Sequence, residues 1–359
     1  MQRDDERRAA CAGRIRASWR VRASSAGFCT GVQVFLTGAG AASPICLNVV
    51  WLAALSALPV SAAAALVCRR ALYTGNYGRS TRFYRLLHGL LCAAFLLNTL
   101  FAAASLVRLS EQSLLPQAQA ALSAAVALTA VILCTLSGEK GVSRLCFALR
   151  IALPALLFVL CGVSLPLNLT GLFPLLGPGA AKTLAGCLCM PGSAFAALIL
   201  LYPPKELTQQ ELDGAYLPGA WFFVWRVLLG AALGAALLLA VTLGSTYQSI
   251  APDEWGKRLL IFSSGRPREG AAQMALTLLE TAAFVLLAAH MLLAAARALG
   301  VLCPKLRGEK ASLAVVSVCA GVGLGALIAC GLDRVLPAAP GMLVPLLAAL
   351  MYYGRKRCG

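Results

Sequence analysis

The chain has 359 residues, of which 60% are hydrophobic and 13% are charged, and its mean hydropathy is +0.80. A soluble domain carries roughly 45–50% apolar and about 25% charged residues, so this composition excludes a soluble protein and indicates an integral membrane protein. The formal net charge of +17 comes from basic residues scattered over short segments, which argues against a nucleic-acid partner.

Ten apolar stretches are predicted to cross the bilayer, because each is close to the ~20 residues that span about 30 Å of hydrocarbon. In chain order the predicted spans are 23–43, 45–67, 86–107, 115–136, 145–165, 180–202, 220–244, 271–296, 312–331 and 335–353. Residues 1–22 would then form a basic cytoplasmic tail, 23–353 one ten-helix transmembrane domain, and 354–359 a second cytoplasmic tail.

The basic residues predict the orientation of these spans. If both termini are cytoplasmic, 23 Lys and Arg residues lie on the inner side and seven on the outer side. Lys and Arg accumulate on the cytoplasmic side of membrane proteins. Joining the first two spans would move the N-terminal arginines outside, so an even number of spans with both termini inside is preferred.

Two of the spans are predicted to be broken helices. Thr37-Gly38-Ala39-Gly40 lies in the first span and Met190-Pro191-Gly192-Ser193 in the sixth. In lipid an unpaired peptide group costs several kcal/mol, so broken helices persist only where protein or a water-filled cavity surrounds them. Breaks at matching positions in two halves of a chain predict a transporter-like binding site.

The second break gives the more specific chemical prediction of the two. Pro191 removes a backbone donor, and Gly192 permits a positive φ. The N-terminal end of a half-helix suits a carboxylate and unwound carbonyls suit an ammonium group or a cation, and an amino acid carries both charges. The alternative, which stays open at Gly38 above all, is that these small residues only allow close helix packing.

Glu280 is the acidic residue that lies well inside a predicted span. An ionisable group there costs roughly 2.5–3.5 kcal/mol on insertion scales, so it normally faces the bundle interior or a watery path. Thr277 and Gln273 precede it by three and seven residues and share its helical face. We predict a proton or cation relay, or a ligand contact, at Glu280 and Thr277; the alternative is a structural hydrogen bond to a neighbouring helix.

The fourteen cysteines do not predict a metal site or a cofactor. Most lie inside spans, where cysteine behaves as a small apolar residue. No C-x-x-C pair and no Cys/His spacing of the zinc type occurs in the sequence. Nucleophile triads, phosphate-binding glycine loops and paired carboxylates are also missing from it, so we do not expect an enzyme.

Several local patterns from about residue 84 onward match one known family. They are Arg108, Leu114-Leu115-Pro116, Gly138 with Arg144, Pro154, Asn168-Leu169, Pro174-Leu175-Leu176-Gly177-Pro178-Gly179 and Leu279-Glu280. Together they resemble the spore germination permease family, the B-type subunit of bacterial nutrient germinant receptors. Leu278 stands where that family's span-eight pattern has an arginine.

The resemblance implies the fold of the amino-acid/polyamine/organocation superfamily. That fold is an all-α, LeuT-like five-plus-five inverted repeat with discontinuous helices one and six. The resemblance also implies a small germinant, often an amino acid, bound between those helices. It further implies an A-type membrane subunit and a C-type lipoprotein as partners, in the bacterial cell membrane and specifically the spore inner membrane.

Three hypotheses for the function follow. The first is a permease-like, germinant-sensing receptor subunit that binds an amino acid between the broken helices. The second is an amino-acid:proton or amino-acid:cation symporter. The third is a non-binding membrane scaffold in which the breaks serve only packing.

Overall fold

The computed structural model of this chain describes residues 2–41, 50–73, 82–110, 119–164, 179–180, 184, 190–202, 218–242, 270–306 and 309–330. The helical elements in these ranges are α1 (Gln2–Ala41), α2 (Val50–Tyr73), α3 (Arg82–Leu109), α4 (Ala120–Leu136), α5 (Gly138–Ser164), a 3₁₀ helix (Met190–Leu201), α6 (Ala220–Thr242), α7 (Gly270–Leu302), a short 3₁₀ turn (Pro304–Leu306) and α8 (Glu309–Ala329). No strand occurs in them. Each predicted span overlaps one of these elements except the tenth, 335–353, which lies outside the described residues.

Four of the helices are individually long and apolar enough to cross a membrane. They are Arg85–Leu109, Ala220–Leu239, Thr277–Leu302 and Lys310–Ala329. A fifth span results if the bent pair α4 and α5 is counted as one. Large apolar side chains such as Leu133 and Val322 are exposed on the outside of this bundle, as expected for helices that face lipid. The chain is therefore an all-α membrane protein.

The connection between α4 and α5 is tighter than the sequence predicts. We expected a cytoplasmic loop between spans ending at 136 and starting at 145, but Ser137 alone separates the two helices. Gly138 has φ of 72°, a conformation that glycine adopts without steric penalty, and the two helix axes differ by 108°. As a result Glu139 and Arg144 belong to α5 rather than to a loop.

The first helix begins far earlier than predicted. α1 starts at Gln2, whereas the predicted span starts at residue 23. Arginine, glutamate and alanine are good helix formers, so a charged segment can extend an apolar helix. Trp19 is 1% exposed and its ring lies 5.3 Å from that of Phe223 on α6. The boundary predicted at residue 22 therefore falls inside a helix that is already buried.

Two glycine pairs bring α1 and α6 into backbone contact. Gly27 and Gly31 on α1 meet Gly230 and Gly234 on α6, and each pair is four residues apart on one helical face. A Cβ added to Gly31 would lie 2.5 Å from the carbonyl oxygen of Gly230, and one added to Gly230 would overlap the carbonyl of Gly27. Small residues at this spacing let membrane helices approach closely, and here they fix α1 against α6.

The second half of predicted span six is a 3₁₀ helix in the core. It runs from Met190 to Leu201 and packs against α2 and α1. Phe195 meets Phe95 of α3 edge-on, with ring centroids 4.7 Å apart, and the hydroxyl of Tyr202 lies 2.9 Å from Nδ1 of His88. Runs of 3₁₀ helix longer than 3–4 residues are uncommon and often mark a hinge or strain.

We predict that Gly230→Ala destabilises the protein by about 1–3 kcal/mol, because the added methyl group overpacks the contact with α1. Thermal unfolding of the purified protein in detergent measures the loss. Gly325→Ala on α8 is the control, because a Cβ at Gly325 would have no atom within 4 Å. Equal melting temperatures for the two variants would contradict the close approach of α1 and α6.

Candidate functional site

One cavity opens between α1, α5, α6 and α7. Its empty space is about 540 Å³ when the open solvent at its mouth is included. Its wall is mostly apolar and carries two charged side chains, Arg150 and Glu280. The lining residues are Phe28, Gly31, Val32, Phe35, Arg150, Gly230, Leu233, Gly234, Leu237, Glu280, Ala283 and Phe284.

Glu280 is a buried acidic residue of the cavity wall. The residue is 4% exposed, and its Oε1 has no hydrogen-bond partner in the part of the chain that the structure describes. A buried carboxyl group without a partner pays a desolvation penalty, so an occupant of the cavity that donates to it gains a strong interaction. Thr277, one turn earlier on α7, is buried but does not line the cavity.

Arg150 contributes the opposite charge, and the sequence analysis missed it. Its Nη1 donates to Ser24 Oγ at 2.8 Å, and its guanidinium lies 5.0 Å from the centre of the Phe147 ring. Arg150 is one of the 23 basic residues assigned above to the cytoplasmic side, although it lies inside the predicted span 145–165. The signal was available, because a charge inside a span indicates an interior or functional position by the same argument as for Glu280.

The predicted break in the first span is not an interruption within α1. The helix continues through Thr37, Gly38, Ala39 and Gly40 and ends at Ala41. Glycine weakens a helix by only about 1 kcal/mol relative to alanine, so three small residues can remain helical in its last turn. The side chains at 37–40 lie outside the described residues, and their role in binding stays a prediction.

The predicted break in the sixth span coincides with the start of the 3₁₀ helix. Met190, Pro191, Gly192 and Ser193 form its first four residues, while 185–189 and the side chains at 190–194 lie outside the described residues. The cavity described above is lined by α6 rather than by the 3₁₀ helix. The structure thus brings Glu280 together with α1 and leaves the contribution of Met190–Ser193 a prediction.

A buried ion-pair cluster ties α1, α5 and α7 together, at positions on these helices outside the cavity. Glu139 of α5 accepts hydrogen bonds from Arg22 of α1 through Oε1 and from Arg297 of α7 through Oε2. The three side chains are 5–14% exposed. Removing one member of such a buried pair leaves an uncompensated charge, so this cluster strongly favours one arrangement of the three helices.

A second cluster lies about two helical turns from the first. Cys29, Cys146 and His290 each stand seven residues from Arg22, Glu139 and Arg297 respectively, or ~10 Å along each helix at 1.5 Å per residue. Their sulfur and nitrogen atoms all lie within 4.8 Å of one another. Sequence spacing could not reveal this group, because its members come from three separate helices.

The comparisons with known proteins establish the fold. No protein-family model matches the chain, and no curated protein sequence matches it. The chain is similar to a manganese transporter from Eremococcus coleocola in complex with an aromatic bis-isothiourea substituted compound, with 14% identity and a TM-score of 0.55, covering 93% of this chain and 76% of that one. It is also similar to a nucleobase-cation-symport-1 family transporter in a closed conformation with bromovinylhydantoin bound, with 13% identity and a TM-score of 0.52, covering 92% and 75%.

Identities this low bear on architecture alone. Both neighbours are transporters with a LeuT-like fold, and the matches extend over most of this chain. The prediction of an all-α membrane protein with a LeuT-like fold is therefore confirmed.

We predict that Glu139→Gln destabilises the protein by about 3–5 kcal/mol, because it leaves Arg22 and Arg297 without their shared carboxylate. Thermal unfolding in detergent measures this loss. Lys140→Gln, at the next and exposed position, removes a charge outside the cluster and should change stability by less than about 1 kcal/mol. Equal effects of the two substitutions would rule out a stabilising role for the cluster.

Proposed function

We propose that this chain is a permease-like, germinant-sensing subunit of a spore germination receptor and that it binds an amino acid in the cavity between α1, α5, α6 and α7. Two independent observations support the proposal. The chain has the LeuT-like fold that the resemblance implied, and the residues of the family-like patterns include Glu280, which lines the cavity.

The observation that carries the proposal is the pair of opposite charges in an apolar wall. Glu280 suits an ammonium group, because its buried Oε1 has no partner among the described residues. Arg150 suits a carboxylate, because a guanidinium carries five N–H donors and one of them reaches Ser24. A free amino acid supplies both complementary charges, and its side chain would meet the apolar wall.

We propose that the site extends toward the two predicted break regions. Thr37, Gly38, Ala39 and Gly40 follow Phe35, the last lining residue of α1, by two to five residues. Met190, Pro191, Gly192 and Ser193 form the N-terminal end of the 3₁₀ helix, and the N-terminal end of a helix favours a carboxylate. Binding there would complete the site that the sequence predicts.

Sensing requires that the ligand bind one conformation of the subunit more tightly than another. A ligand shifts an equilibrium only by its difference in affinity for the two states. We propose that occupancy of the cavity changes how α1 lies against α5, α6 and α7. The A-type membrane subunit and the C-type lipoprotein would read that change in the spore inner membrane, with both termini of this chain in the cytoplasm.

An amino-acid symporter is the second candidate. It is favoured by the fold, which the chain shares with transporters, and by Glu280, whose carboxyl group could carry a proton or contact a cation on each cycle. Manganese prefers several oxygen ligands, and Glu280 is the one acidic residue that lines the described cavity. The manganese named for one neighbour therefore does not favour manganese as the ligand of this cavity.

We predict that one or more amino acids raise the melting temperature of the purified full-length protein. A ligand at about 100 times its Kd stabilises the folded state by about 2.7 kcal/mol. Glu280→Gln and Arg150→Gln should each weaken binding by about 10- to 100-fold, since a hydrogen bond to a charged group contributes about 1.5–3 kcal/mol. Ligand-free melting temperatures show whether each variant is folded.

The matched control for the charge is Arg85→Gln, which removes an exposed guanidinium at the start of α3. It should bind the amino acid as the unmodified protein does. The proposed site is contradicted if no amino acid stabilises the protein, or if folded Glu280→Gln and Arg150→Gln bind as tightly as the control.

We predict that proteoliposomes containing this chain alone bind the amino acid without accumulating it.

Gly192→Leu should abolish the germination response of spores that carry the variant, because it blocks the N-terminal end of the 3₁₀ helix. Gly325→Leu, where the chain has open space, is the control, and the amount of each variant in spore membranes checks assembly.

The outcomes separate the three hypotheses. Ion-dependent accumulation by the chain alone would establish a symporter and contradict a purely sensory role. If neither Gly38→Leu nor Gly192→Leu altered the binding of any small molecule, the scaffold hypothesis would replace both.

A further inference from the structure

The cluster of Cys29, Cys146 and His290 has the composition and the geometry of a metal site. Its three ligand atoms lie within 4.8 Å of one another. Cys29 and Cys146 are 0% exposed and His290 is 2% exposed. The cluster lies apart from the cavity, since none of the three residues lines it.

The helix packing explains why these ligands converge. α1, α5 and α7 pack against one another, and the ion pairs of Glu139 with Arg22 and Arg297 fix their relative register. Two turns further along each helix, the same register places one ligand from each helix at a common point. A site held by rigid helices in this way is organised before any metal arrives.

The ligand types select the class of metal. Two thiolates and one imidazole suit thiophilic ions that accept tetrahedral coordination, and Cys₂His with an open fourth position is a known zinc arrangement. Binding of a divalent ion releases the two thiol protons. The resulting set of one 2+ ion and two thiolates is neutral overall, which limits the electrostatic penalty of burial in the bundle.

Ser25 is placed to orient the imidazole. Its Oγ lies 3.3 Å from both ring nitrogens of His290. A metal-bound histidine usually hydrogen-bonds through its second ring nitrogen, which fixes the ring and its tautomer. Ser25 is one turn before Cys29 on α1, so the same helix supplies a ligand and the group that positions another ligand.

We infer that Cys29, Cys146 and His290 bind a thiophilic divalent metal ion of the Zn²⁺ class, which cross-links α1, α5 and α7. The ion stabilises the arrangement of these three helices, two of which carry the charged residues of the cavity, Arg150 and Glu280. Mn²⁺ and Mg²⁺ prefer oxygen ligands, so the site discriminates against them.

The test uses the full-length protein, purified with a non-chelating reductant and incubated with ZnCl₂ before removal of loosely bound metal. We expect one zinc per chain and a higher melting temperature than for the chelator-treated protein. Cys29→Ser, Cys146→Ser and His290→Ala should each lose both effects, and Ser25→Ala should weaken zinc binding about 10- to 100-fold.

Cys68→Ser is the matched control, because Cys68 is also fully buried and its thiol donates to the carbonyl of Ala197 instead. This variant should retain one zinc per chain. Cobalt binding to the unmodified protein gives a second measurement that needs no variant, because thiolate ligation of Co²⁺ produces a charge-transfer absorption band. Absence of this band, sub-stoichiometric zinc, or retention of zinc in all three ligand variants would overturn the inference.

Discussion

The rest of the interior depends on the two ion pairs that the Glu139 carboxylate makes. It accepts hydrogen bonds from Arg22 on α1 and Arg297 on α7, so three helices share one buried set of charges. Buried ion pairs contribute little net stability compared with well-packed apolar residues, but breaking one is strongly unfavourable. The cluster therefore acts mainly on register: it selects the one alignment of α1, α5 and α7 in which Cys29, Cys146 and His290 meet two turns away. The same helices then carry Arg150 and Glu280 to the cavity.

The glycine contact between α1 and α6 complements this constraint from the other side of α1. Three glycines have two roles here: they let the backbones of α1 and α6 touch, and they line the cavity. They are Gly31, Gly230 and Gly234. Because they have no side chain, space remains beside the contact, and Phe28, Phe35 and Phe284 close it with apolar surface. A charged ligand in such a wall interacts with Arg150 and Glu280 at low dielectric, where electrostatic interactions are stronger than in water. Close packing and ligand binding are thus two consequences of the same small residues.

The sequence predicted what local patterns encode. Apolar length placed the helices within a few residues in most cases, and the energetic penalty of an intramembrane carboxylate correctly marked Glu280 as an interior group. Non-local arrangements were out of reach: the meeting of Cys29, Cys146 and His290 depends on the register of three helices, which no single-helix spacing reveals. The sequence analysis did not single out Gly230 and Gly234, although their spacing is typical of close helix packing, and their partners on α1 emerge only from the structure. The early start of α1 was missed because charge was taken as the end of a helix, although charged residues can extend one.

A mercuric cross-link between Cys29 and Cys146 tests most directly whether α1 and α5 meet in this register. The starting point is a cysteine-free variant with a protease site inserted within 111–118, which lies between α1 and α5 in the sequence. Cys29 and Cys146 are then restored to this variant. Their sulfur atoms lie within 4.8 Å of one another, so one Hg²⁺ can bridge them. We expect the cleaved fragments to remain joined after HgCl₂ treatment and to separate when excess thiol is added, while a variant with Cys29 alone yields separate fragments. Separate fragments from the folded two-cysteine protein would contradict the convergence of α1, α5 and α7.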